Sequence, residues 1–240
     1  MFEVKDRINF SALYSGIDCA ENCFDKKHFE NYTKKISYQY NSKGFRDNEW
    51  PVDLSDVIWC VGDNFTAGIG QPYEETWPQL LQKKTGKRCI NLGQDGCSND
   101  SLTLRIKEIV KNHKPKLIVV MWSYFARRRF RDGKNVHFDK DARELPKHDL
   151  QNFADNFSCV NKLPTKIIHT IIPGAFMVRK HTYDDLTEYA VNRKLEHGKK
   201  IIHFKQMDCA RDYHHFDIKT SELVTDLITK KITDIDNSSK

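Results

Sequence analysis

Near the carboxyl terminus, the stretch RDYHHFD places Asp212 three residues before His215. A histidine is a useful base near neutral pH, and a carboxylate bonded to its second ring nitrogen fixes the tautomer and stabilises the imidazolium. Both side chains can point into one pocket where the last predicted helix begins. Alternatively, the two residues have no catalytic role: Asp212 only caps that helix, and His215 lies on the surface. We expect the neighbouring His214 to be a bystander.

A second candidate region is IWCVGDNFTAGIG, residues 58–70, where an apolar run stops at Gly62 and Asp63. This pattern is typical of a buried strand that ends in a tight functional loop. The residue at the tip of the loop is Asn64. Its amide is not deprotonated by a histidine near pH 7, so Asn64 forms no acyl-enzyme by the usual route.

Five apolar runs of strand length predict the elements that must position these loops. Because the runs are continuous rather than alternating, they favour parallel strands that are covered on both faces. Helical stripes lie between them, so we expect an open parallel sheet with helices on both sides and its ligands at the carboxyl edge. The predicted strands are 57–61, 88–92, 116–122, 165–172 and 200–204, and the stripes fall near 77–81, 102–110, 153–160 and 223–232.

An arginine cluster follows the third predicted strand. Guanidinium groups suit carboxylates and phosphates, so the cluster predicts a site for an acidic or phosphorylated ligand, with Arg128 as the residue to test. The alternative is a solvated basic turn. The nearby aromatic residues could stack on a sugar or base, or pack against the N-terminal region. The arginines are 127, 128, 129 and 131, and the aromatic residues are Trp122, Tyr124 and Phe125.

Taken in order, GDNFTAGIG, ETWPQLL, NLGQDG and the late Asp-x-x-His resemble the SGNH, or GDSL, hydrolase family over roughly residues 57–232. The resemblance implies a flavodoxin-like three-layer α/β/α fold. It also implies an ester hydrolase with a Gly-Asp-Ser nucleophile loop and oxyanion donors after the second and third strands. Neither a metal nor an organic cofactor is implied.

Carried over to this sequence, the resemblance places Asp63 and Asn64 in the first loop, with Asn64 where the serine belongs. It assigns Gly96 and the backbone N–H of residue 64 as oxyanion donors, His215 as the base and Asp212 as its orienting acid.

The loop after the third strand departs from the family pattern. Trp122, Ser123 and Tyr124 replace the usual Gly-x-Asn-Asp. Ser123 or Tyr124 could donate the missing hydrogen bond, and Asn99 in the neighbouring loop could also reach the pocket.

Three explanations of Asn64 stay open at this point. The chain is a natural pseudoenzyme that binds a ligand, an engineered or selected Ser→Asn form of a hydrolase, or an enzyme in which His215 activates water directly. Two other residues could replace the nucleophile, but we expect Thr66 to pack or cap a turn and Cys60 to be a buried, inert thiol.

The predicted function is therefore hydrolase-like, with an ancestral reaction that removes an O-acyl group from a carbohydrate or lipid. The partner would be a small-molecule or glycan ester, which could be anionic. One alternative is a non-catalytic module that binds an acidic or glycan ligand in the same pocket. Another is an accessory subunit that docks a partner through its first 55 residues.

Length and composition set the remaining expectations. The 240 residues fit one α/β domain over 56–240, preceded by an extension over 1–55 that wraps it. Seven irregularly spaced cysteines indicate reduced thiols rather than a zinc site. The net charge of +6 favours an anionic partner without predicting nucleic-acid binding. No leader or bilayer-length apolar run is evident, so we expect a cytoplasmic protein without a membrane span.

Overall fold

A five-stranded parallel sheet forms the centre of the computed structural model, which describes residues 3–129, 135–137, 147–173 and 201–238. The strands are β1 (Ser11–Ala12), β2 (Tyr38–Gln39), β3 (Ile58–Gly62), β4 (Cys89–Gly93), β5 (Leu117–Trp122), β6 (Arg127–Arg129), β7 (Asn135–His137), β8 (Lys166–Ile171) and β9 (Ile201–Ile202). The order of the strands in the central sheet is β4-β3-β5-β8-β9.

This strand order confirms the predicted fold class. The first strand of the sheet, β3, lies between the second and the third, and the later strands follow on one side. That is the flavodoxin-like winding, in which the crevice at the carboxyl ends of the first and third strands is the usual ligand site. The loops after β3, β4 and β5 therefore meet at one edge.

Two pairs of helices cover the sheet and complete the three layers. The helices are α1 (Lys26–Asn31), α2 (Asn64–Ala67), α3 (Trp77–Thr85), α4 (Asn99–His113), α5 (Lys147–Asn161) and α6 (Ile218–Asn237). Helix α3 packs on α6, and α4 packs on α5. Helix α3 ends directly before Gly86, because this glycine adopts the left-handed conformation that closes a helix.

The central strands are buried along their whole length, which explains their continuous apolar sequence. Every residue of β3 and β4 is buried, and only Leu117 of β5 is partly accessible. The fifth strand is shorter than the predicted 200–204. Among the described residues, only Ile201 and Ile202 pair with β8. Lys200 lies outside the described residues.

The loop after β5 contains an antiparallel pair, β6 and β7, that the sequence analysis did not predict. The arginine cluster lies on β6, and Arg131 lies outside the described residues. No helix in the described part of the chain has the length and apolar character needed to cross a bilayer.

The N-terminal region adds β1, β2 and α1 and contacts the sheet domain through Arg46, whose side chain is buried. The Arg46 guanidinium donates hydrogen bonds to the carbonyl oxygens of Ala67, Gly68 and Gln71. The boundary between an extension over 1–55 and a domain over 56–240 stays a prediction.

Candidate active site

The loop after β3 places Asn64 at the first position of α2, at the carboxyl edge of the sheet. Asp63 caps this short helix, because its Oδ1 accepts a hydrogen bond from the Phe65 N–H at 3.1 Å. Gly68 ends the helix in the left-handed conformation. Asn64 is thereby held in a fixed, buried position directly behind the strand.

Three side chains form one connected line, although Asn64 lies 148 or more positions before the other two in the sequence. Asn64 Nδ2 lies 2.6 Å from His215 Nε2, and His215 Nδ1 lies 2.5 Å from Asp212 Oδ2. If Nδ1 carries the imidazole proton and donates it to the carboxylate, Nε2 is left to accept from the Asn64 amide. The three side chains follow one another in the order of a Ser-His-Asp triad, with an amide in place of the hydroxyl. Their catalytic roles stay a prediction.

Backbone donors hold the acid of this line in place. Asp212 Oδ1 accepts hydrogen bonds from the N–H groups of His214 and His215, both at 3.0 Å. Tyr213 takes up a left-handed conformation with a φ of 59°, which turns the chain sharply between Asp212 and His215. The pair is therefore built by one tight turn and lies before α6, as the sequence analysis expected.

Burial and mutual attraction set the ionisation of this pair. Burial alone disfavours the charged form of Asp212, but the neighbouring His215 and the two N–H donors outweigh it and lower the pKa of Asp212 to about 2. Burial also opposes the charge on His215, yet the Asp212 carboxylate raises the pKa of the imidazole above its usual value. The ring of Phe65 packs against His215 at 4.6 Å between centroids, which keeps this environment apolar.

Arg127 brings a positive charge to the same site. Its Nη1 donates to Asp63 Oδ2 at 2.8 Å, to Ser123 Oγ at 3.0 Å and to Asn64 Oδ1 at 3.3 Å. The Asn64 amide therefore uses its donor toward His215 and its acceptor toward Arg127. The sequence places Arg127 in the arginine cluster but does not single it out as a site residue. The signal that could have identified Arg127 as a site residue is its position as the first arginine after β5.

The other arginines of the cluster have different contacts. Arg128 forms an ion pair with the buried Asp149 and donates to the Phe125 carbonyl oxygen. The backbone N–H of Arg129 donates to Asp100 Oδ2 at 3.0 Å. The role of Arg128 in ligand binding stays a prediction, and its carboxylate partner would have to be displaced by any anion.

The remaining candidate residues lie in the loops that surround Asn64. Ser123 Oγ donates to Asp63 Oδ2 at 2.5 Å, so this hydroxyl supports the first loop. Asn99 Oδ1 accepts from the Ser123 N–H at 2.8 Å, and its Nδ2 donates to the Ser123 carbonyl oxygen at 3.1 Å. These contacts commit the Asn99 side chain to joining two loops. Tyr124 Oη lies 3.3 Å from His214 Nε2.

Gly96 lies in the loop between β4 and α4, in the left-handed conformation with a φ of 68°. Its assignment as an oxyanion donor stays a prediction. Burial raises the pKa of the nearby Asp95 carboxyl group. The positive charges of His215, Arg7 and Arg127 act in the opposite direction but do not outweigh burial.

The two substitute nucleophiles occupy positions beneath the loop. The Thr66 side chain is fully buried and packs against Gly62, where an added Cβ would lie 2.0 Å from Thr66 Oγ1. Cys60 lies inside β3, and burial raises the pKa of its thiol well above the usual value. Within the described ranges, no group of three or more His, Cys, Asp or Glu side chains is arranged to hold a metal ion.

Comparison with known proteins shows the fold to which this site belongs. Neither a protein-family model nor a curated protein matches the sequence. Among solved structures, the psychrotrophic esterase EstA from Pseudoalteromonas sp. matches at 17% identity and a TM-score of 0.50, covering 76% of this chain and 100% of that one. A family two carbohydrate esterase from Clostridium thermocellum matches at 14% identity and a TM-score of 0.52, covering 78% and 66%.

A member of the lipolytic G-D-S-L family from Veillonella parvula is also similar, at 17% identity and a TM-score of 0.47, covering 70% of this chain and 93% of that one. Identities at this level establish architecture and not activity. Together with the sheet order and the loops at its carboxyl edge, the two matches with TM-scores of 0.50 and 0.52 show that the chain has the three-layer α/β fold of the SGNH, or GDSL, hydrolases.

Proposed function

We propose that this chain is an SGNH-hydrolase-like protein whose pocket is built for an O-acyl ester and in which Asn64 occupies the place of the nucleophile. The observation that carries the proposal is the line from Asn64 through His215 to Asp212, with contacts of 2.6 and 2.5 Å. A base held this close to residue 64 would activate a hydroxyl at that position. With an amide there, the covalent route is closed.

The Asn64 amide also bears on the rival explanation in which His215 activates water. Its Nδ2 lies on the Nε2 lone pair that would have to accept a proton from water. Water could reach the base only if the amide moved away. We therefore infer that the chain as it stands binds an ester without efficient hydrolysis, which is the pseudoenzyme explanation.

We propose a carbohydrate O-acyl ester as the ligand class ahead of a lipid ester. The support comes from the carbohydrate esterase of similar fold, which was solved in complex with cellohexaose. The charges around Asn64 give less support to an anionic ligand, because Arg127 is already paired with Asp63 at 2.8 Å. A cytoplasmic location stays a prediction.

The test compares hydrolysis of p-nitrophenyl acetate by the unchanged chain, Asn64→Ser and Asn64→Ala. We expect the serine form to show an acyl-enzyme burst and a rate at least about 10³-fold above the other two, since that is the scale of a nucleophile's contribution. Asn64→Ala is the matched control, because it uncaps His215 without supplying a hydroxyl. Adding His215→Ala to the serine form should abolish the gain.

Two results would contradict the proposal. Equal hydrolysis by the unchanged chain, the alanine form and the serine form, abolished in each by His215→Ala, would show that His215 activates water. A folded but inactive serine form would leave the second candidate, a binding module that uses the same pocket, and titration with acylated and unacylated oligosaccharides would then measure what it binds.

A further inference from the structure

The loop that carries Asp212 and His215 is enclosed by a part of the N-terminal region, residues 13–34, which we call the clamp segment. His28 Nε2 lies 2.9 Å from the Ala210 carbonyl oxygen, before the pair. Tyr32 Oη donates to Asp217 Oδ2 at 2.9 Å, after the pair. The clamp segment therefore contacts both ends of the loop, through residues that lie 182 and 185 positions apart in the sequence.

The strongest of these contacts involves Asp18 and Arg211, the residue directly before Asp212. Asp18 is fully buried, and its Oδ1 accepts a hydrogen bond from Arg211 Nε at 3.1 Å. Its Oδ2 accepts a second one from Arg211 Nη2, which makes the ion pair bidentate. Because the Arg211 side chain is only 12% exposed, it would be left as a buried charge without compensation if Asp18 were neutral.

Asp18 also connects the loop of Asp212 to the end of the loop after β3, which carries Asn64. The Tyr38 hydroxyl donates to Asp18 Oδ2 and accepts from the Gly70 N–H at 2.8 Å. The Gly70 carbonyl oxygen in turn accepts from the Arg211 N–H at 2.9 Å. These bonds form a closed ring between the loop of Asn64 and the loop of Asp212, with the Asp18 carboxylate as one of its members.

Aromatic packing secures the arginine from the other side. The Arg211 guanidinium lies 5.0 Å from the ring centroids of both Tyr14 and Phe29, which belong to the clamp segment. The Phe24 N–H donates to the Asp212 carbonyl oxygen at 3.5 Å. Tyr14, Phe24 and Phe29 each contact the loop directly, and none of the three lies within residues 57–232, the part of the chain that resembles a hydrolase.

We propose that the clamp segment is a working part of the site and that Asp18 is a positioning residue that holds Asp212 against His215 through Arg211. The positioning is a property of the folded chain. Its meaning for chemistry rests on the proposed function, so the first experiment is one that needs no activity.

That experiment measures amide hydrogen exchange and the His215 Nδ1–H proton signal in the full chain and in Asp18→Asn. We expect residues 210–217 to exchange at least about 10-fold faster in the variant, while amides of β3 and β5 keep their rates. We also expect the downfield signal of the proton between His215 and Asp212 to broaden or disappear. Asp6→Asn, an exposed carboxylate of the same region, is the matched control and should change neither measurement.

Unchanged exchange and an unchanged Nδ1–H signal in Asp18→Asn would overturn the proposal. A uniform rise that includes β3 and β5 would also overturn it, since Asp18 would then support global stability alone. Should Asp18→Asn fail to fold, Tyr38→Phe removes one hydrogen bond from the Asp18 carboxylate and keeps the ion pair, and it must show the same local pattern at smaller size.

A second arm adds Asp18→Asn to the Asn64→Ser form and follows p-nitrophenyl acetate hydrolysis. We expect kcat to fall at least about 10-fold with little change in KM, because Asp18 acts on the orientation of the base. Asp18→Glu should restore part of the loss. If Asn64→Ser is inactive while the exchange pattern appears, the clamp stands and the proposed hydrolase pocket fails. A normal kcat in the double variant would contradict the role of Asp18.

Discussion

Both the nitrogen and the oxygen of the Asn64 side-chain amide form contacts in the site. The asparagine therefore does more than remove the hydroxyl of a serine. Nδ2 contacts His215, and Oδ1 accepts from Arg127 at 3.3 Å. A serine hydroxyl at this position would keep the contact with the base but would not reproduce both amide contacts in the same geometry. Arg127 is the residue that gains from the amide, because it holds Asp63, Ser123 and Asn64 together.

At this scale, the Asp212–His215 pair predicts how stability depends on pH. The pKa of Asp212 falls from 3.8 to about 2 on folding, so its contribution of about 2 kcal/mol is complete above pH 4 and is lost as the pH falls toward 2. His215 has a raised pKa, so its contribution is complete below pH 6.5 and is lost as the pH rises through the folded value. The difference in the free energy of unfolding between the unchanged chain and Asp212→Asn should therefore be largest between pH 4 and 6.5.

Urea denaturation at a series of pH values checks this dependence. Asp226→Asn is the control, since Asp226 is 63% exposed and its pairing with Lys84 is screened by solvent, so its effect should be small and nearly flat. A difference for Asp212→Asn that stays constant from pH 2 to pH 5 would show that the carboxylate is not stabilised by the histidine.

The sequence predicted some of these residues and could not predict others. Asn64, Asp212 and His215 could be predicted because each lies in a short sequence motif next to a predicted strand or helix. The contact of Arg127 with Asp63 depends on how the loop after β5 folds, and no local pattern encodes that path. The bond between Asp18 and Arg211 joins residues 193 positions apart, so it depends on the tertiary structure alone.

At the scale of elements, the close approach of β4 to the Asn64 helix depends on one glycine. A Cβ at Gly93, the last residue of β4, would lie 2.1 Å from the Ala67 nitrogen and 2.6 Å from the Thr66 carbonyl carbon. Both are backbone atoms of α2, which cannot move without displacing Asn64. The glycine therefore sets the distance between the second strand and the first loop, a requirement that apolar patterning alone does not reveal.

Gly93→Ala should accordingly destabilise the protein by about 1–3 kcal/mol through overpacking. Gly86→Ala is the control at the end of α3, where a φ of 70° imposes conformational strain but nothing lies within 4 Å of the added Cβ. We expect it to cost about 1 kcal/mol. Urea denaturation compares the two, and the amide signals of α2 should shift in Gly93→Ala alone. Equal costs with no shift in α2 would contradict the steric account.

The elements were otherwise well predicted where burial on both faces governs the sequence. Strands β3, β4 and β5 have continuous apolar runs because helices cover both faces of the sheet. The edge strand β9 was overestimated, since apolar residues such as Phe204 continue beyond the two residues that pair. The antiparallel pair β6–β7 was missed because its arginine-rich sequence has no strand pattern.

At the scale of the whole molecule, charged residues from the N-terminal region are buried against the sheet domain. Arg46 is 1% exposed and Asp18 is fully buried. Arg46 is satisfied largely by carbonyl oxygens at positions 67, 68 and 71, and Asp18 by Arg211. Detaching this region would break these hydrogen bonds to charged groups, each of which contributes about 1.5–3 kcal/mol. The two regions should for this reason unfold together.

This cooperativity can be measured with a probe in each region during urea denaturation. In a Trp50→Phe background, tryptophan fluorescence reports on the sheet domain through the buried Trp59, Trp77 and Trp122. A label on an introduced cysteine at the exposed Leu13 reports on the clamp segment, once the partly exposed native cysteines at 19, 23, 159 and 209 have been replaced by serine. We expect coincident midpoints, since a domain with one buried network unfolds in a single transition. In the Asp18→Asn variant the label should respond at lower urea than the tryptophans, because the clamp then loses its ion pair while the core strands remain intact. An early, separate transition in the unchanged chain would show instead that residues 1–55 are an independent appendage, and the loop of Asp212 would then be held by the sheet domain alone.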